Sequence, residues 1–342
     1  MPPYNDFTWS EIQSQPEAWA ATLDTIAART SDLRAFLRDN PFDQVALTGC
    51  GSTYYLALAA AASLREIANV RASGLPASEL WLNPQGSFPA GGRTLLVPVS
   101  RSGETSETLR AVAAFREAGR GPILTISCYA ERPLAQMGDY NLVIAAGQEQ
   151  SIAQTRAFST QYLATLALAA TLAGRDDLLA ALGQLPTAGR QTLDASAGLA
   201  RELGGGAIDR VFFLGSGARY GLACELSLKM KEMSLSESEP FHFLEYRHGP
   251  QSMARPGTLI VGLLSEAQGE HERAVLGEMQ ALGARVVAVG PRADEVTLAG
   301  LPDQLRGPLY LPFGQMLAYE RAVSRGLTPD QPSQLSAVVK LQ

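Results

Sequence analysis

The sequence predicts an α/β protein built from two duplicated, doubly wound parallel-sheet subdomains of flavodoxin-like, three-layer type. Three observations point there. Short apolar runs alternate with helical stretches of about 10–15 residues, the pattern of parallel strands joined by crossover helices. The segment Val45–Ile67 (VALTGCGSTYYLALAAAASLREI) aligns without a gap with Val211–Met233 (VFFLGSGARYGLACELSLKMKEM). Glycine is abundant at 32 residues while aromatics are 7%, which suits closely packed layers.

In chain order, residues 1–30 read as a helical lead-in. The duplicated segment then gives, twice, an apolar strand, a G-x-G turn and a long helix. Val45/Val211, Gly49/Gly215, Gly51/Gly217, Tyr54/Tyr220, Leu56/Leu222, Ala57/Ala223 and Glu66/Glu232 are identical across the copies. The next pair is weaker: Thr94–Val97 matches Thr258–Val261, and Gly119 matches Gly283. A strand at Leu95–Val99, a helix at Ser106–Ala118 and a strand at Ile123–Ser127 are expected, with Val286–Val289 as the later counterpart. The halves are expected to join near Gly174–Gly206, giving subdomains over 31–185 and 200–326. A helix over Pro312–Arg325 and a polar tail, 327–342, complete the chain.

The bulk composition narrows the partners. Of 342 residues 46% are hydrophobic and 18% charged, with 28 Lys+Arg against 34 Asp+Glu for a net charge of −6. No block of like charge stands out, which argues against nucleic acid and anionic membrane surfaces as partners. Cys50, Cys128 and Cys224 form no CxxC pair, so neither a disulfide framework nor a metal site is expected and a reducing compartment fits. The N-terminal MPPYNDFTWSE has no basic stretch leading into an apolar one, and Leu163–Gly174 is too short to span a bilayer. The expectation is a soluble cytoplasmic protein.

The sharpest candidate loop is Ser100-Arg101-Ser102-Gly103-Glu104-Thr105, between a strand and the start of a helix. In parallel sheets, ligands collect beyond the carboxyl ends of strands, where helix N-termini offer free N–H groups. Three hydroxyls around a glycine exceed what a helix cap requires and suit a phosphate monoester held without a metal. The matching loop, Leu264-Ser265-Glu266-Ala267-Gln268-Gly269, lacks the hydroxyl cluster and brings a glutamate, so one phosphate per chain is expected. The turn Gly49-Cys50-Gly51-Ser52-Thr53 ends the preceding strand, and its hydroxyls at Ser52 and Thr53 extend the candidate site.

For proton transfer, Glu225, Lys229 and Glu232 fall on one helix face at i, i+4 and i+7. Their first-half counterparts are Ala59, Ser63 and Glu66, so the second copy carries an added carboxylate and ammonium. The segment Ser236–Pro250 that follows holds His242 and His248, the latter in a stiff His-Gly-Pro. A carboxylate and an imidazole are what proton movement between C1 and C2 of a sugar requires.

With these residues in view the chain resembles the sugar isomerase (SIS) family: the isomerase half of glucosamine-6-phosphate synthase and stand-alone amino-sugar-phosphate deaminases. The resemblance covers most of the chain and rests on GCGSTYYLA (49–57), SRSGET (100–105), IAQTRAFSTQ (152–161), ELSLKMKEMS (225–234), RHGP (247–250) and DQPSQL (330–335). It implies a homodimer with shared active sites, no cofactor, and the 327–342 tail lying over the site. It implies phosphate contacts from Ser100, Arg101 (through its backbone), Ser102, Thr105, Thr53 and Ser52, with Gly51, Gln154 and Glu225 elsewhere in the substrate pocket. It also implies Glu232 as the base, Lys229 beside it, and His248 as the group that opens the sugar ring.

This sequence departs from the synthases in three ways. It begins without a glutamine-hydrolysing domain, so no ammonia from glutamine is expected. Ala337 stands where the synthases' tail lysine falls, with Lys340 three residues on. Gln154 and Arg156 replace a Ser and a Lys. The function implied is deamination of a hexosamine 6-phosphate to a ketose 6-phosphate. Plain aldose–ketose isomerisation, cleavage of a fructosamine phosphate, and a non-catalytic sugar-phosphate sensor are the alternatives. A dinucleotide enzyme is disfavoured, because Tyr220 sits where a third glycine would follow Gly215 and Gly217.

Overall fold

The computed structural model describes residues 6–88, 91–298 and 300–341. The first five residues of the lead-in and the last of the tail lie outside it. In chain order the elements are α1 (Phe7–Gln13), α2 (Gln15–Asp39), β1 (Gln44–Gly49), α3 (Ser52–Ala68), β2 (Ala72–Pro76), α4 (Ala77–Leu82), α5 (Pro84–Ser87), β3 (Thr94–Ser100), α6 (Ser106–Glu117), β4 (Leu124–Ser127) and β5 (Tyr140–Val143). Then come α7 (Arg156–Leu172), α8 (Asp176–Ala181), α9 (Leu185–Gly204), β6 (Arg210–Gly215), α10 (Ala218–Ser234), β7 (Glu237–Phe241), β8 (Thr258–Leu263), α11 (Gly269–Ala281), β9 (Arg285–Gly290), β10 (Val296–Thr297) and α12 (Leu311–Ser324).

The chain divides into two compact units, each assembled from separate stretches. One holds Glu17–Glu149, Arg156–Gly183 and the tail from Ser336; the other holds the described residues up to Pro16, Gln150–Thr155 and Gln184–Leu335. The stretch Gly174–Gly206, where the halves were expected to join, contains α8 and most of it is α9.

Each unit has its own five-stranded, all-parallel sheet. The first runs β2-β1-β3-β4-β5, the second β7-β6-β8-β9-β10. Both therefore place their second strand outside their first, the doubly wound order that opens a crevice at the strands' carboxyl ends. The central strands β3 and β8 are buried throughout, as strands covered on both faces must be. Phe88, Leu96, Val112 and Phe115 pack in the first unit's core, and Ile260, Val275, Leu276 and Met279 in the second's.

The duplication holds at backbone level. Gly51 and Gly217 adopt φ of 55° and 60° just before α3 and α10. A Cβ on Gly49 or Gly215 would come within 2.4 Å of Thr53 Oγ1 or the Arg219 carbonyl, so the helix can start this close to the strand only over glycine. Both helices end on a left-handed residue, Asn69 and Leu235.

Candidate active site

The SRSGET loop lies at the carboxyl end of β3 and leads into α6. The Ser100 Oγ accepts the Gly103 N–H at 3.1 Å, and the Ser102 Oγ accepts the Glu104 N–H at 3.2 Å. Accepting these bonds leaves each hydroxyl proton to donate. Thr105 Oγ1 stands 3.4 Å from Ser100 Oγ and 3.5 Å from Ser102 Oγ, which gathers three hydroxyls on one spot. Thr105 precedes the first residue of α6, yet its hydroxyl makes no capping bond to that helix. Gly103 has φ 67°, and a Cβ there would meet Arg132 Cβ at 2.9 Å. Glu104, an unfavourable charge beside an anion, is paired with Arg132 at 2.7 Å.

The Arg101 guanidinium is buried and turned to other tasks. It pairs with the buried Glu149 at 3.5 Å and donates to the Ala337 carbonyl at 3.3 Å. An anion at this loop therefore meets the backbone of Arg101 more readily than its side chain. The tail is also fixed at Ser106, whose N–H reaches the Val339 carbonyl at 3.4 Å while its Oγ accepts from the Leu341 N–H at 3.1 Å. Lys340 lies between these two bonds and is exposed. Sequence reasoning passed over Ser106 and Glu149. Ser106 was visible as the start of a helix, whereas nothing local links Glu149 to Arg101.

The Gly49–Thr53 turn sits beside this loop, since Cys50 Sγ is 3.5 Å from Thr108 Oγ1 in the first turn of α6. Thr53 Oγ1 accepts the Cys50 N–H at 2.9 Å and donates to the Cys50 carbonyl at 3.0 Å. Donation to an anion would break the second bond. Ser52 opens α3 and is buried. Burial pushes the Cys50 thiol up, leaving it a weak nucleophile.

The second unit contains the charged cluster. Lys229 Nζ lies 3.2 Å from Glu225 Oε1 and in direct contact with Glu232 Oε2. The side chains of Glu225 and Lys229 are fully buried, while that of Glu232 is 20% exposed. Burial pulls the Lys229 ammonium down, but the charges of Glu225 and Glu232 outweigh it and leave the group above its ordinary value. The lysine is thus a fixed cation at neutral pH, and Glu232 is the accessible member of the three.

His248 follows a short 3-10 turn, Glu245–Arg247, and is exposed. Arg247 donates to Glu278 of α11 from Nε and Nη2, at 2.7 and 2.6 Å, and Gly249 takes φ 114°. Among the described residues the imidazole makes no hydrogen bond or ion pair with the Glu225–Lys229–Glu232 cluster. His242 instead stacks on Tyr220 with ring centroids 3.9 Å apart. Gln154 is half-buried, and its Oε1 has no partner among the described residues. In the loop matching SRSGET, Glu272 fills the anion position itself: its Oε2 accepts the Ser265 N–H at 2.6 Å and the Ser265 hydroxyl at 3.0 Å. No group of three or more His, Cys, Asp or Glu among the described residues could hold a metal ion. No described helix is long and apolar enough to cross a membrane.

Comparison with known proteins places this arrangement. Residues 41–171 match the model of the SIS domain. A crystal structure of glucosamine-6-phosphate deaminase from Thermotoga maritima superposes with a TM-score of 0.85 at 30% identity, over 98% of this chain and 99% of that one. The chain belongs to the SIS family of phosphosugar isomerases. Glutamine–fructose-6-phosphate aminotransferase (isomerizing) of Aeropyrum pernix is 32% identical over 99% of this SIS chain, which spans 58% of the relative's length. Tagatose-6-phosphate ketose/aldose isomerase from Escherichia coli shares the fold, with a TM-score of 0.86 at 24% identity over 97% and 98% of the two chains.

Proposed function

We propose that this SIS protein deaminates a hexosamine 6-phosphate, working as a homodimer. The observation behind this reading is the charged cluster in which Glu232 alone is accessible, held against a permanently charged lysine. The substrate's phosphate is held by the hydroxyls of Ser100, Ser102 and Thr105 and by loop N–H groups, with the α6 N-terminus favouring the negative charge. His248, exposed on its loop, opens the sugar ring in the neighbouring copy. Glu232 then takes the proton from C2 and returns it to C1. The C1 aldehyde becomes an alcohol and the C2 amine an imine. Water adds at C2, ammonia leaves, and a ketose 6-phosphate remains. Gln154, with its unpartnered Oε1, is assigned to the substituent on C2. The 30% identity to a glucosamine-6-phosphate deaminase over nearly the whole of both chains supports the amino sugar as substrate.

The test is a panel of 6-phosphorylated amino sugars and fructosamines, with ammonia and ketose phosphate measured together for wild type and Glu232→Gln. Stoichiometric ammonia and ketose phosphate, both lost in the variant, is the expected result. Turnover without ammonia would replace deamination by plain isomerisation. No turnover despite phosphate-dependent binding would remove the enzyme reading.

A further inference from the structure

Residues 337–341 of the tail are tethered to the loop that ends β3, and the tethers fall at either end of that loop. Near its start, the Arg101 guanidinium donates to the Ala337 carbonyl at 3.3 Å. Just past its end, Ser106 donates its N–H to the Val339 carbonyl at 3.4 Å, and its hydroxyl accepts the Leu341 N–H at 3.1 Å. The loop spanned in this way carries the hydroxyl cluster of Ser100, Ser102 and Thr105.

The tether at Arg101 is built unlike a surface contact. Its side chain is 7% exposed and lies 3.5 Å from Glu149, whose carboxylate is fully buried. The Arg101 carbonyl accepts the Cys128 N–H at 3.3 Å, and the Tyr129 hydroxyl donates to the Glu149 carbonyl at 3.3 Å. Both members of the pair are thus fastened to the segment after β4. A guanidinium held this way has little rotamer freedom left to lose when the tail docks on it. The tail itself brings little apolar burial, with Val339 54% and Leu341 39% exposed. Polar tethers rather than packing therefore decide how firmly it is held, and segments of this kind open easily.

We propose that Arg101, oriented by Glu149, is a positioning residue: its side chain docks the tail across the SRSGET loop, and docking and phosphate binding strengthen each other. The role rests on the loop's being the phosphate site, and it gives work to a side chain that faces away from the anion. With the tail docked, both ends of the loop are fixed before the anion arrives, so less ordering opposes binding. A bound phosphate in turn draws the three hydroxyls onto itself and stiffens the stretch from which the tail hangs. By linkage the two effects are equal in size.

Hydrogen exchange of the tail, read by mass spectrometry on the full chain with and without saturating inorganic phosphate, tests this. In the wild type, phosphate should slow the tail's exchange about tenfold. Arg101→Met should speed exchange without ligand, abolish the protection by phosphate, and weaken phosphate binding in calorimetry by about the same tenfold. Arg101→Lys serves where that variant does not fold. It leaves Glu149 a counter-charge, yet it lacks the fork that serves Glu149 from Nη1 and Ala337 from Nη2. A merely structural cation would be rescued by lysine, whereas the tether should still be lost. Tail exchange equal to wild type in whichever variant folds overturns the proposal. So does a tail that phosphate leaves unprotected although it binds, and in both cases the loop stands as the phosphate site. A wild type that binds no phosphate overturns the proposal and the loop's role together.

Discussion

Lys229 sits fully buried between two carboxylates, and such a cation is tolerable only while its partners stay charged. Its value is raised by the net effect of Glu225 and Glu232 over burial. A raised ammonium stabilises the fold at every pH below its ordinary value, and that share is lost as pH climbs through the folded value. The wild-type cluster should therefore hold its strength through neutrality and weaken only in strong alkali. Lys229→Met leaves Glu225 buried without its counter-charge and should cost about 3–5 kcal/mol at neutral pH. The variant should recover stability on acidification from about pH 8 to about pH 5, since protonation relieves the stranded carboxylate. Urea unfolding at both values checks this, and a variant whose deficit does not shrink in acid would show that Lys229 is not what neutralises Glu225. This cluster was legible from i, i+4, i+7 spacing. The sequence does not show which of its carboxylates is accessible, because that depends on what packs over each one.

The helices α3 and α10 were legible for a different reason: strand, glycine turn and helix repeat residue by residue, so each copy corroborates the other. Even the helix ends correspond, Asn69 in one and Leu235 in the other, both left-handed at φ of 51° and 50°. Asparagine tolerates that conformation, whereas leucine at such a cap costs roughly 1–2 kcal/mol. Leu235 is also more than half exposed, so little packing is at stake. Leu235→Asn should stabilise the protein by about 1 kcal/mol in denaturant unfolding. A loss instead would mean that the leucine makes an apolar contact worth more than the strain. The edge strand β7 was not legible. Its sequence, ESEPF, is polar, carries a proline, and reads as part of the loop that leads to His248. An edge strand pairs on one side only, so it can hold exposed glutamates and a proline that an inner strand could not.

At the scale of the molecule, the unit boundaries follow bonds between residues distant in sequence. Glu11 accepts the Gln150 N–H at 2.6 Å, and Asp330 accepts the Phe7 and Thr8 N–H groups at 3.1 and 2.7 Å. These bonds gather α1, the Gln150–Thr155 segment and the DQPSQL motif into the second unit, and no periodicity or composition could announce them. The two sheets share a strand order but differ in what occupies the loop after the third strand. Ser100 Oγ and Ser265 Oγ each accept an N–H three residues on, at 3.1 and 3.0 Å, so both loops begin alike. In the first, the hydroxyls of Ser100, Ser102 and Thr105 converge. In the second, Glu272 already accepts the Ser265 N–H and hydroxyl, and the neighbouring Glu266 is engaged with Arg306 at 2.6 Å. A dianion approaching the second loop would have to displace a buried carboxylate of the protein's own. Calorimetry with a hexosamine 6-phosphate should therefore saturate at a single equivalent per chain. Ser102→Ala should weaken that binding about tenfold, the usual effect of removing one hydroxyl from a charged partner. Two equivalents in the wild type would show that the Glu272 latch opens, and the duplicated sheets would then be two binding sites rather than one site and its closed copy.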